Sequence, residues 1–221
     1  MRRMGTAKFC SALVLGVSGF VLFSGAAWAG ENAGAAVLVS CGSDTKATPA
    51  SCVALSGKTC GDLTPSVDTQ AGPLLSWIAV YVGRTPDLTQ LAGVDFGINY
   101  EPNALFGPAW THCGSLEVTG TDPVWPLPLS GTTVVWTENQ IGPTVLVGFF
   151  TVKKYLGYGS LDWTLQQHPL YGVARATDGQ IFDDLRYPAI ANLGGVGGGN
   201  PDCSTAIKPT TWGGIKSLYQ H

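Results

Sequence analysis

Apolar positions along the chain fall into short runs punctuated by glycine and proline. Residues 74–82 (LLSWIAVYV) are continuously apolar, β-branched or aromatic and predict a buried strand, which Thr85-Pro86-Asp87 then breaks. Over residues 93–100, Val94, Phe96, Ile98 and Tyr100 alternate with Asp95, Gly97 and Asn99, so this strand has one buried and one solvated face. Glu101-Pro102-Asn103 is a turn, and residues 110–118 hold short strand material around Cys113. Prolines at 123, 126 and 128 exclude a central strand there. Residues 132–137 and 144–153 are the next strands, joined through Gly142-Pro143, and 160–166 and 171–176 are weaker ones. Residues 180–191 accommodate one short helical turn, and 194–200 (GGVGGGN) form a flexible loop. No long stretch after the first thirty residues has a persuasive helical period. Many short strands between Gly and Pro predict an all-β fold, an antiparallel β-sandwich or jelly roll.

The first thirty residues follow a different pattern. Arg2, Arg3 and Lys8 precede an apolar run from Phe9 to Phe23, and small residues then lead to Ala27-Trp28-Ala29. This is the order of a secretory signal peptide. The apolar run is too short, and too broken by Gly16, Ser18 and Gly19, for a transmembrane anchor. The expected organisation is a signal peptide over 1–29 and a single domain over 30–221, exported to the cell surface, the periplasm or the medium. A lipobox reading of Leu38-Val39-Ser40-Cys41 fails because Glu31 and Asn32 interrupt the apolar stretch and Cys41 lies far from the basic start. No later segment predicts a transmembrane span.

Composition sharpens this picture. The chain is 221 residues long, 45% hydrophobic and 12% charged, which excludes intrinsic disorder. The leader carries three basic and no acidic residues, so its loss takes the formal charge from −3 to −6, and a nucleic-acid partner is not indicated. Cys41, Cys52, Cys60, Cys113 and Cys203 remain after Cys10 leaves. In an oxidising compartment they read as disulfides with one thiol left over, to stay free or to pair with another chain. Cys113 with Cys203 is the expected long-range link, worth about 4 kcal/mol if unstrained, because a glycine-rich loop precedes Cys203. Within the Cys-rich segment 41–60, Cys41–Cys60 is favoured slightly over Cys52–Cys60. No C-x-x-C is present, and His112 beside Cys113 points to the opposite face of a strand, so no metal site is expected.

The search for chemistry is sparse. G-x-S-x-G and H-E-x-x-H are absent, and the string Gly213-Gly214-Ile215-Lys216-Ser217 fails the P-loop spacing. A chain starting at Gly30 lacks the N-terminal histidine of a copper oxygenase. No cofactor is expected. Asp183, Asp184 and Glu138 supply carboxylates for a hydrolytic pair, with His168 as a base, if they meet in one cleft. Trp110, Trp125, Trp136 and Trp163 could stack on sugar rings. Trp136, in VVWT, reads as core, whereas Trp125 lies between prolines and is the exposed ligand-binding candidate.

The run Leu91-Ala92-Gly93-Val94-Asp95-Phe96-Gly97-Ile98-Asn99-Tyr100-Glu101-Pro102, followed by Leu105, resembles the cohesin-type pattern, as does Val145–Lys153 further on. Trp110, Cys113, Leu116, Glu117, Trp125-Pro126, the 131–136 strand and Asp202-Cys203 resemble, in order, a group of uncharacterised exported bacterial proteins. The resemblance spans residues 74–153 and implies a cohesin-like β-sandwich in a surface or secretion context. It supplies no catalytic residue, and residues 41–60 depart from it. The chain has no D-x-D-x-D-G calcium loop and so no dockerin of its own. The functional expectation is a secreted, non-enzymatic surface or binding module for a protein or polysaccharide ligand. The alternatives are a secreted hydrolase of extracellular polymer and a self-associating subunit of an extracellular assembly.

Overall fold

The computed structural model of the protein describes residues 29–44, 49–69 and 75–203. The expected leader, apart from Ala29, and the 213–217 string lie outside them. The described residues form an all-β, sandwich-like fold. Its strands are β1 (Ala36–Ser43), β2 (Ser66–Val67), β3 (Ser76–Tyr100), β4 (Leu105–His112), β5 (Leu116–Val118), β6 (Gly131–Lys154), β7 (Leu161–Gln166), β8 (Arg175–Thr177), β9 (Phe182–Asp184) and β10 (Ala189–Leu193). The one α-helical turn is α1 (Cys52–Leu55).

β3 and β6 are an antiparallel ribbon that runs the length of the molecule. The first half of β3 lies between β1 and the second half of β6, and β4 lies beyond β6. The second half of β3 pairs with the first half of β6 on one edge and with β7 and β8 on the other. β10 and β2 continue outward from β7, β5 joins β6, and β9 joins β8. Register shifts between Val80 and Gly93 let both long strands turn from one half-sheet into the other. Corners of this kind let a single pair of strands serve two packed layers.

The break expected at Thr85-Pro86-Asp87 is therefore a bulge inside one strand. Pairing with β6 lapses between Gly83 and Leu88. Arg84 satisfies the carbonyls left open: Nε donates to Pro86 O at 3.0 Å and Nη2 to Asp87 O at 3.1 Å. Likewise, Gly142-Pro143 does not separate two strands, since β6 runs straight through it. The helical turn expected within 180–191 is absent. That stretch forms β9 and β10, because β8 and β7 offer open edges to pair with.

The inner core fills the space between the half-sheets. Val37, Val39, Ile78, Val80 and Val82 meet Phe96, Ile98, Phe150, Trp163 and Leu165 there. Aromatic rings dominate its centre. Trp163 stacks on Tyr100 at 4.0 Å, Phe150 lies 4.6 Å from Trp163, and Phe96 meets Trp110 and Trp125 edge-on. A second, outer layer covers the far face of the first half-sheet. Ala36, Leu38, Ala79, Tyr81, Leu146 and Phe149 point outward and are capped by Leu55, Leu63 and Cys203. Residues 77–82 are thus apolar without interruption because both faces of this strand are covered.

The outer edge of β1 is also occupied. Val37 N–H donates to Arg186 O at 3.0 Å and Cys41 N–H to Thr64 O at 2.7 Å. Between them the Asn200 side chain accepts from Val39 N–H at 2.7 Å and donates to Val39 O at 2.9 Å.

The disulfides differ from the expected pairing. Cys52 joins Cys113 with a Cα–Cα distance of 5.6 Å, and Cys60 joins Cys203 at 6.4 Å. Neither Cys113–Cys203 nor Cys41–Cys60 forms. Cys113 reaches the outer layer from the β4 side, just after β4 ends, whereas Cys203 arrives three residues after Asn200 has capped the β1 edge. The 52–60 segment lies between these approaches and supplies a partner to each. Cys41 is the free thiol among the described residues. It faces the inner core, and burial pushes its pKa up to about 12, against a weaker opposing hydrogen bond from the Asn192 backbone. An intermolecular disulfide through this thiol is therefore not on offer.

Candidate binding surface

Trp125 is not the exposed ring expected from its flanking prolines. It is half-buried against the inner core, with its centroid 5.4 Å from Trp110, 5.7 Å from Phe96 and 5.6 Å from Phe150. Its Nε1 is buried without a hydrogen-bond partner. The turns at Pro123 and Pro126 fold the ring inward and leave Val124, Leu127 and Leu129 exposed instead. Trp163 is fully buried, and Trp110 donates from Nε1 to Glu117 Oε1 at 2.6 Å. Trp136 is half-buried on the core, as expected, and borders an open hollow of about 390 Å³ beside the Cys52–Cys113 disulfide.

The four residues proposed for hydrolysis do not converge. Asp183 is buried, and its two oxygens accept from Gly30 N–H at 2.7 Å and Asn32 N–H at 2.9 Å. Asp184 and Glu138 are exposed. His168 is buried and stacks on Tyr171 at 4.6 Å, with Nδ1 accepting from Leu170 N–H at 3.2 Å. Burial holds its pKa below the usual imidazole range, and the Arg175 cation adds to this while Asp95 opposes it. No hydrogen bond joins any two of these four among the described residues.

Sequence reasoning missed the strongest polar cluster. Asp95 Oδ2 accepts from Arg175 Nη2 at 2.6 Å and Nε at 3.0 Å, and Oδ1 accepts from Thr133 at 2.6 Å. The guanidinium lies 3.8 Å from the centre of the Tyr171 ring and 4.3 Å from that of Phe182. Asp95 was expected on a solvated face because it alternates with Val94 and Phe96. The β8–β9 hairpin covers that face and turns Asp95 into the anchor of Arg175. Gly97, on the same face, is crossed so closely by the backbone that a Cβ there would lie 2.3 Å from Gln167 O. The ion pair and the ring contacts of Arg175 clasp the hairpin to the sandwich.

Exposed rings gather elsewhere, at the junction of β4, the end of β6 and the loop that follows. β4 pairs Phe106 with Lys153, and Tyr155 N–H donates to Ala104 O at 2.9 Å, so the chain leaves β6 beside the start of β4. Lys154 Nζ then donates to Tyr158 O at 3.0 Å and Gly159 O at 2.6 Å and fixes the loop. The result is a shallow hollow of about 490 Å³ lined by Phe106, Lys153, Lys154, Tyr155 and Leu156. Phe106 is 64% exposed, Leu156 72%, and Tyr155 and Tyr158 45% each. Phe106 and Tyr155 meet edge-on at 6.3 Å, and Lys153 is exposed beside them. Contiguous exposed apolar surface of this kind marks an interaction site more often than isolated residues do. The sequence signal was the cluster Tyr155, Leu156 and Tyr158 in a glycine-bearing loop. Only β4 pairing brings Phe106 to it.

No protein family, curated protein or solved structure matches the chain. Among the described residues, no helix is long and apolar enough to cross a membrane.

Proposed function

We propose that the chain is exported and works outside the cytoplasm as a non-enzymatic binding module whose ligand is a polysaccharide. The observation that carries this reading is the pair of exposed rings Phe106 and Tyr155 in one hollow, with Lys153 beside them, and Tyr158 in the adjoining hollow that shares Tyr155 and Leu156. Aromatic faces present large apolar area at little conformational cost and suit the C–H faces of sugar rings, while a shallow open hollow suits a polymer that passes across it. The disulfides Cys52–Cys113 and Cys60–Cys203 fit an oxidising compartment. The A-x-A leader pattern and the cohesin-like resemblance of residues 74–153 support the same setting.

The test is a depletion assay of purified protein against a panel of insoluble polysaccharides, with released reducing ends measured in the same tubes. The expected result is binding to at least one polymer without turnover. Binding should fall at least tenfold in a Phe106→Ala, Tyr155→Ala, Tyr158→Ala variant whose circular dichroism is unchanged. Released sugar would instead favour the hydrolase, and failure to bind any polymer would overturn the ligand class.

A further inference from the structure

Among the described residues, Asp183 carries a buried carboxylate with no cation in ion-pair contact. The ion pair among the described residues is Arg175–Asp95, and Asp183 receives only the backbone N–H groups of Gly30 and Asn32. An ionised carboxylate taken out of water without a counter-charge is costly. The donor at Oδ1, 2.7 Å away, is the nitrogen of Gly30. Gly30 is also the residue that follows Ala27-Trp28-Ala29. A leader cut after Ala29 therefore turns that amide into a primary amine 2.7 Å from the Asp183 carboxylate.

We propose that Asp183 is the receptor for the new amino terminus released by cleavage between Ala29 and Gly30. The proposal rests on the leader-peptide reading and goes beyond it. In the cleavage, a peptidase of the leader-processing class adds water across the Ala29–Gly30 bond. The hydroxyl goes to the Ala29 carbonyl carbon, the leader leaves as a carboxylate, and Gly30 nitrogen takes up protons to become an ammonium. The hydrogen bond from a neutral amide to the Asp183 carboxylate is thereby replaced by a hydrogen-bonded ion pair in the same place.

The surroundings are built for this. A Cβ on residue 30 would lie 2.3 Å from Asp183 Oδ2, so a larger residue there would push the carboxylate from its present place. Ala29 is exposed and Gly30 half-buried, whereas Asn32 is fully buried. The following residues are pinned one by one. Ala33 N–H donates to Gly30 O at 3.2 Å, the Asn32 side chain donates to Gln90 O at 3.2 Å, and Glu31 accepts from the Thr89 hydroxyl at 2.8 Å. The new terminus thus has a fixed path to Asp183 with no rearrangement.

The full-length gene is expressed in an exporting host, and the N-terminus of the product is read by intact mass, with Gly30 expected first. A second form, exported behind a foreign leader, starts at Ala29, which keeps the Gly30 N–H but moves the charge away. The extra residue should lower the folding equilibrium constant roughly tenfold, the scale of one charge-assisted hydrogen bond, and should have no effect in the Asp183→Asn background. A terminus other than Gly30 would overturn both the leader reading and the capture. A Gly30 terminus with equal effects of the extension in both backgrounds would overturn the capture alone. Should Asp183→Asn fail to fold, acylation of the wild-type α-amine decides. It should be at least tenfold slower in the native than in the denatured protein, and equal rates would overturn the capture.

Discussion

The two sides of the half-sheet formed by β1, β3, β6 and β4 are held in different ways. On its inner side, side chains from two half-sheets interdigitate around Phe96, Phe150 and Trp163 with no covalent link between them. On its outer side, Leu38, Tyr81 and Phe149 are covered by a segment with one turn of helix, and both disulfides lie there. A packed sheet supplies its own backbone partners and a large apolar area, whereas residues 50–63 supply little of either. Tyr81 illustrates the difference. Its hydroxyl donates to Leu55 O at 2.7 Å, so a single hydrogen bond from the sheet helps hold down the cover, and burial raises the phenol's pKa above its usual range. Cross-links are found where packing alone is thin.

Truncating the inner side should have the largest effect. Trp163→Ala removes a fully buried ring stacked on Tyr100, and a loss of about 4 kcal/mol in a denaturant titration is expected. A loss below about 1 kcal/mol would mean that the inner core does not carry the fold. Removal of one outer staple by the joint substitution Cys52→Ala, Cys113→Ala should cost about 3 kcal/mol. Hydrogen exchange should then show Leu55 and Ser56 amides opening well before those of Ile98 and Leu165. Simultaneous opening would erase the distinction between the two sides.

The smallest effect is a pH slope at the rim of the inner core. Because burial depresses the folded pKa of His168 below the usual 6.5, the unfolded chain takes up the proton first as pH falls. Stability should therefore decline from pH 7 through about 6.5 and level off below the folded pKa, by at most about 1.4 kcal/mol per pH unit. Denaturation curves of wild type and His168→Gln between pH 5.5 and 7.5 should differ in slope by this contribution, and parallel curves would contradict it.

Strand patterning made the all-β class and most of the strands readable before any coordinates. The 76–82 part of the 74–82 run, the alternation at 93–100 and the exclusion of 122–128 each rest on local pattern, which survives folding; Leu74 lies outside the described residues, and Leu75 is exposed just before β3. What local pattern cannot encode is which element covers which face. Asp95 looked solvated because the β8–β9 hairpin that buries it is distant in sequence. Pro86 looked like a terminator because Arg84, which satisfies the bulge, acts through its side chain. Trp125 looked exposed because prolines mark turns without saying which way the ring between them points. The disulfide pairing failed for a related reason: a flexible loop before Cys203 gives reach but not destination. Of the binding surface, Tyr155 and Tyr158 stood together in the sequence, while Phe106 joined them only through strand register.

The capped edge of β1 has a consequence for how copies of this protein behave together. An open strand edge is a template on which a neighbouring molecule can lay its own strand, and growth by that route leads to fibres. Here Arg186, Asn200 and Thr64 each occupy one rung, and Asn200 does so with a side-chain amide that mimics a peptide group on both its donor and acceptor sides. A strand from a second copy would have to displace three separate partners before making its first full pairing. Crowding of copies would therefore not readily recruit this edge into an extended sheet.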